Sequence, residues 1–129
     1  MPSIDTNCVL RWLLDDVPEQ TKLITALIDS GESIVLSDVA LIETVYVLEK
    51  IMKISRETIE KSIMAVIKKD AIICNRELFI EILPVYTEHS KLSFVDCYLE
   101  VFARKTKDVP LLTFDKKLAK QLSGAQLLS

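Results

Sequence analysis

The stretch Val109-Pro110-Leu111-Leu112-Thr113-Phe114-Asp115 decides the fold. Val109 to Phe114 reads as a short apolar strand, and Asp115 to Leu122 as the helix that follows it. An acid therefore stands at the carboxyl end of a strand. The chain opens in the same way. Met1 to Asp5 reads as a short first strand and Asn7 to Leu14 as a helix, with Asp5 at the junction. In open α/β sheets ligands bind beyond the carboxyl ends of the strands, so Asp5 and Asp115 are expected at the same edge.

The sequence between these junctions supplies strands and long helical crossovers. Glu19 to Asp29 carries Leu23, Ile24, Leu27 and Ile28 at helical spacing, and Ser30-Gly31 stops it. Ser33 to Leu36 is a buried-type strand. Ser37-Asp38 caps a long helix reaching about Lys53. Ser55 to about Lys69 is amphipathic, with Ile59, Ile63, Val66 and Ile67 on one side. Ala71 to Cys74 is a short edge strand. Arg76 to His89 is a helix in which Pro84 predicts a kink or break. Ser93 caps a helix to about Lys105, and Ala125 to Leu128 forms a last strand. The order β-α-α-β-α-α-α-α-β-α-β predicts an α/β fold with a parallel sheet and helices on both faces, in one domain over residues 1–129.

Composition excludes several classes. Only 2 glycines occur among 129 residues, and no Gly-rich phosphate-binding string is present. The three cysteines, Cys8, Cys74 and Cys97, fit no zinc or redox spacing and read as reduced core thiols. The start of the chain has neither a basic segment nor a long apolar one, and no run approaches a membrane span. A cytoplasmic protein without a membrane partner is expected. The net charge of −3 and a pI near 5.2 fit a nucleic-acid binder poorly, although local patches matter more than the sum.

Four acids stand alone in apolar runs: Asp5, Glu43, Asp96 and Asp115. Each has an ordinary explanation to weigh. Asp5 and Asp115 are placed to cap helices, and Ser93-Phe94-Val95-Asp96 matches a capping box. Glu43 lies too deep in Val39–Leu48 to cap, in a helix that reads as apolar nearly all round and therefore buried. Glu100 shares a helix face with Asp96 and reads as the partner of Arg104 at i+4. Brought together, four carboxylates repel strongly and need a cation. An all-oxygen donor set suits Mg²⁺ or Mn²⁺, which suggests metal-assisted hydrolysis of a phosphodiester. With one histidine, His89, in the chain, a two-histidine RNA cleavage mechanism is excluded.

The pattern resembles the PIN domain, in particular the VapC-type ribonuclease toxins. The matching strings are Ile4-Asp5-Thr6-Asn7, Ser37-Asp38-Val39-Ala40-Leu41-Ile42-Glu43, Leu92-Ser93-Phe94-Val95-Asp96 and Leu111-Leu112-Thr113-Phe114-Asp115. The resemblance implies a doubly wound parallel sheet in a three-layer α/β/α sandwich, with an acidic pocket at the strand ends. It implies that Asp5, Glu43, Asp96 and Asp115 bind Mg²⁺ or Mn²⁺ and catalyse attack of water on RNA. Thr6, Asn7 and Thr113 match polar positions that support the acids. The resemblance also implies a homodimer and a small cognate antitoxin that covers the pocket. Arg11, Arg104 and Lys116, with Lys117 and Lys120, are candidate contacts to the RNA backbone. Two other classes remain open. One is a PIN-like module that binds RNA or protein without cutting. The other is a phosphatase or phospho-receiver, although Asp5-Thr6-Asn7 lacks the second Asp of an Asp-x-Asp motif.

Overall fold

The computed structural model describes residues 1–128, which form two compact units, the first from Met1 to Arg76 and the second from Glu77 onward. The chain is mostly helical, with short parallel strands.

In the first unit α1 (Thr6–Leu14) and α2 (Pro18–Asp29) pack against each other. Asp5 caps α1, and Pro18 opens α2 at the position where its missing N–H costs nothing. Strand β1 (Ile34–Val35) pairs in parallel with β2 (Ile72–Ile73), and Ser3 adds a single parallel bridge to Val35. The expected first strand is thus reduced to one bridging residue. Between β1 and β2 run α3 (Asp38–Tyr46), a π-helical turn (Val47–Ile51) and α4 (Arg56–Ile67). Ser37 and Ser55 cap α3 and α4 through their hydroxyls, each worth about 1 kcal/mol. Ile59, Ile63, Val66 and Ile67 are all buried, as their spacing predicts.

Two expectations for this unit need correction. The α3 helix is not buried all round. Ala40, Leu41, Thr44 and Val45 face inward, whereas Val39, Glu43 and Tyr46 form an exposed stripe at i, i+4 and i+7. On α2, Ile24 and Ile28 are buried while Leu23 is 74% exposed.

The second unit begins its folded elements with α5 (Arg76–Glu88), which continues through Pro84 without a break. The helix survives because Phe79, Ile82, Leu83 and Tyr86 are fully buried, and their packing offsets the lost bond. The Ile80 carbonyl, which loses its partner to the proline ring, belongs to a residue on the exposed side. Helix α6 (Phe94–Thr106) follows. The Phe94 ring lies against Tyr86 and Phe79, with centroids 5.1 and 6.1 Å apart. Strand β3 (Leu111–Thr113), helix α7 (Lys116–Gln121) and parallel strand β4 (Ala125–Leu127) complete the unit. The sheet predicted from the sequence is therefore present as two short parallel pairs. No described helix is long and apolar enough to cross a membrane. Of the three cysteines only Cys97 is buried; Cys8 and Cys74 are half-buried, and none is in a disulfide.

Candidate active site

Packing of α1 against α3 brings Asp5 and Glu43 to one pocket of about 420 Å³. Asp5 is the N-cap of α1. Its Oδ1 accepts the Cys8 backbone N–H at 3.0 Å, and this bond holds the carboxyl below its ordinary value. Burial pushes the neighbouring Cys8 thiol up, so it remains neutral beside the acid. The Cys8 backbone N–H is bonded to Oδ1, and Oδ2 lies outside that capping bond.

Glu43 is exposed on the outer stripe of α3. The Thr6 hydroxyl donates to its Oε1, tying the first turn of α1 to the middle of α3. Asn7 completes the polar side of the pocket. Leu10, Tyr46, Val47 and Ile51 form the apolar side. Sequence reasoning missed Tyr46 and Ile51 as pocket walls. The i+3 spacing of Tyr46 from Glu43 was the available signal. Ile51 had none, because the π-helical turn that places it leaves no mark in the periodicity.

Asp96 and Asp115 belong to the second unit, and both cap helices. Asp96 Oδ2 accepts the Ser93 backbone N–H while Ser93 Oγ accepts that of Asp96, both at 3.1 Å. This is the reciprocal box that the sequence pattern predicts. Asp115 Oδ1 accepts the backbone N–H groups of Lys117 and Leu118 at 2.8 and 3.2 Å. Thr113 Oγ1 accepts the Asp115 backbone N–H at 2.9 Å and so fixes the turn that presents the acid. Each aspartate leaves one oxygen outside its capping bonds.

The expected cationic contacts differ among themselves. Arg11 Nη1 lies 2.6 and 2.5 Å from the two oxygens of Asp16. Arg104 is held by Glu100 at 2.8 Å, as its spacing predicts, and approaches Glu81 at 4.0 Å. Lys116 is in no ion pair among the described residues. Six of the seven Lys and Arg residues after Arg76 fall between 104 and 120, so the basic character is local although the chain is acidic.

A PIN domain model matches residues 3–121. The chain belongs to the PIN domain family. No curated protein and no solved structure matches it significantly. PIN domains are generally nucleases and commonly use divalent metals.

The side chains of this PIN domain bear on that chemistry directly. Among the described residues no group of three or more His, Cys, Asp or Glu stands close enough to hold a metal ion by itself. The Asp5–Glu43 pair with the Thr6 hydroxyl is an all-oxygen donor set. It lacks the soft ligands of a zinc site and the ligand number of a calcium cage. It does fit an ion of the Mg²⁺ type, which takes one or two carboxylates and completes its shell with water and substrate oxygens.

Proposed function

We propose that this PIN domain is a Mg²⁺- or Mn²⁺-dependent endoribonuclease with Asp5, Glu43, Asp96 and Asp115 as its metal-binding and catalytic acids. The observation that carries the reading is the Asp5–Glu43 pair in one solvent-open pocket. A bound divalent ion would lower the pKa of a water and neutralise charge on the phosphoryl group in the transition state. The protein's own groups prepare that site. The Cys8 N–H keeps Asp5 ionised. Thr6 orients one oxygen of Glu43 and leaves the other to the pocket. Asn7 offers an amide at the rim to a water or a substrate oxygen.

Asp96 and Asp115 enter the proposal through the family pattern. Their inclusion is supported by the one oxygen that each leaves outside its helix cap. With them goes the three-layer α/β/α class expected for residues 1–129. Lys116, Lys117 and Lys120 are the cations best suited to the RNA backbone, because Arg11 and Arg104 are engaged by carboxylates.

The proposed role is that of a cytoplasmic, VapC-type toxin, homodimeric and held by a small cognate antitoxin. Exposed apolar side chains support a protein partner. Val39, Tyr46, Ile51 and Met52 lie open on α3 and the turn that follows, and Tyr46 and Ile51 also wall the acidic pocket.

A second reading is a PIN-like module that binds RNA or protein without cutting. It is favoured by the capping roles that Asp5, Asp96 and Asp115 already fill. The test is a mixed, structured RNA pool incubated with wild type, Glu43→Gln and Asp96→Asn in Mg²⁺, Mn²⁺ or EDTA. Cutting that requires metal and vanishes in both variants is expected. Metal-independent binding that survives Asp5→Asn, with no cutting, would favour the binding module. Cutting that persists in EDTA would sink the carboxylate–metal mechanism.

A further inference from the structure

A second recess lies beside the acidic pocket. It has a volume of about 390 Å³ and runs between α1 and α2, and Asp5 and Asn7 line both recesses. The turn that carries them is thus a shared wall. Leu23, Ile24 and Leu27 give the recess an apolar lining, and Gln20 lines it as well. Leu23 is 74% exposed although it lies in the apolar stripe of α2. An exposed leucine beside a concave apolar surface is a feature that a ligand would cover.

The polar groups at the rim are informative. Neither the Asn7 nor the Gln20 side-chain amide is hydrogen-bonded among the described residues. Arg11 also borders the recess, but its Nη1 is taken by Asp16 at 2.5 and 2.6 Å. Beside the Asp5 carboxylate and the Cys8 thiol, the recess therefore offers the Gln20 amide, with a donor and an acceptor side by side, and the Asn7 amide that it shares with the acidic pocket. An apolar surface edged by such amides matches a planar heterocycle with donors and acceptors on its perimeter. The volume falls within the ~300–1,000 Å³ of small-ligand sites.

We infer that the α1–α2 recess is a nucleobase subsite, with adenine preferred, for an unpaired base next to the phosphodiester that a divalent ion at Asp5 and Glu43 would bind. The inference rests on the nuclease reading for what occupies the acidic pocket. A nucleotide straddling the Asp5–Asn7 turn would place its phosphate on one side and its base on the other. The base is unpaired because the deep, narrow groove of an RNA duplex does not present its base edges to side chains, whereas loops and ends do. Adenine is preferred because an Asn or Gln amide pairs two-fold with its N6 and N7.

Two measurements test this. In the first, binding of short oligoadenylate, oligouridylate and an abasic ribose-phosphate chain of equal length is followed by anisotropy, in the Glu43→Gln background. Oligoadenylate is expected to bind about tenfold more tightly than the abasic chain, as one good amide–base pair allows. That advantage should collapse when Gln20→Ala or Leu23→Ser is added, while abasic binding stays the same. Both positions are exposed, so the variants fold. In the second, the ends produced from a random unpaired RNA pool are sequenced. Wild type should show adenine at one fixed position beside the cut, and Gln20→Ala should flatten that preference. If no RNA is cut in any metal, the nuclease reading fails and the binding measurement alone decides the subsite. If RNA is cut but the abasic chain binds as well as oligoadenylate, or Gln20→Ala weakens all three chains alike, the subsite is overturned and the nuclease stands.

Discussion

Glu43 and Glu100 each stand in the middle of an apolar helix, one in each unit, and the fold treats them in opposite ways. Glu100 is 2% exposed. Its Oε2 accepts Arg104 Nε at 2.8 Å and the Gly124 backbone N–H at 3.0 Å. Glu43 is exposed and takes its one described bond from a neutral hydroxyl, that of Thr6. Glu100 is neutralised within the protein, and its bond in turn raises the affinity of Arg104 for its proton. Glu43 has no cation of the protein in an ion pair with it among the described residues, so its negative charge remains for something outside the chain. Buried charges persist only when paired, whereas a carboxylate in a wet pocket needs no partner until a ligand arrives.

The sharpest way to break the comparison is Arg104→Met. It would leave the buried Glu100 charge without its cation. We expect a loss of about 2–3 kcal/mol in urea unfolding, below the figure for a fully buried pair because Arg104 is half-exposed. Glu43→Gln should behave in reverse. Unfolding should move by less than about 0.5 kcal/mol, as at other exposed sites. Metal-dependent cleavage should fall about 100-fold or more, the equivalent of ~2.7 kcal/mol in the transition state. An equal stability loss in both variants would erase the distinction.

Gly124→Ala probes the Glu100 side more gently. A Cβ there would overlap Glu100 Oε2, forcing the carboxylate away from the backbone N–H that it accepts. About 1–2 kcal/mol of destabilisation is expected in the same unfolding measurement, and a neutral result would show that the contact yields freely. The smallest effect concerns pH. Asp5 titrates below its ordinary value because of the Cys8 N–H. Its charged cap therefore contributes full stability above the unfolded-state value, near 3.8. The contribution is lost as pH falls through the lower folded value. Asp5→Asn retains a capping oxygen but not the charge. The stability gap between wild type and Asp5→Asn should be constant above about pH 5 and narrow under acid; a gap that widened there would contradict the assigned shift.

Much of this was legible where one residue type enforces one local geometry. Ser37 and Ser93 cap the helices that their positions announce, and the Ile59–Ile67 stripe is core. The Glu100–Arg104 pair follows from i+4 spacing alone. What escaped depended on which way an apolar face turned. Val39, Tyr46 and Leu23 are as hydrophobic as their buried neighbours, so no pattern of residue types separates the exposed stripe from the core. The concealed exposure of Glu43 changes its chemistry from a buried acid in need of rescue to an open ligand. Pro84 predicted a break that the buried residues around it overrode. At the site, Asp5, Asp96 and Asp115 had two readings in the sequence, and their capping bonds are now visible. The pairing of Glu43 with Thr6 depends on α1 meeting α3, which no local string encodes.

The π-helical turn after α3 has a consequence for what the acidic pocket admits. Met52 N–H bonds the Val47 carbonyl at 2.9 Å, one residue wider than an α-helical bond. That extra residue delays the helical phase and brings Ile51 to the pocket wall that Glu43 shares. In an unbroken α-helix the position seven residues after Glu43 would return to its face, and that position is Lys50. The same sequence wound without the wider turn would therefore set an ammonium beside the acid, where it would compete with any incoming cation. One residue of backbone slack decides whether Glu43 looks onto a hydrocarbon or onto a counterion of its own.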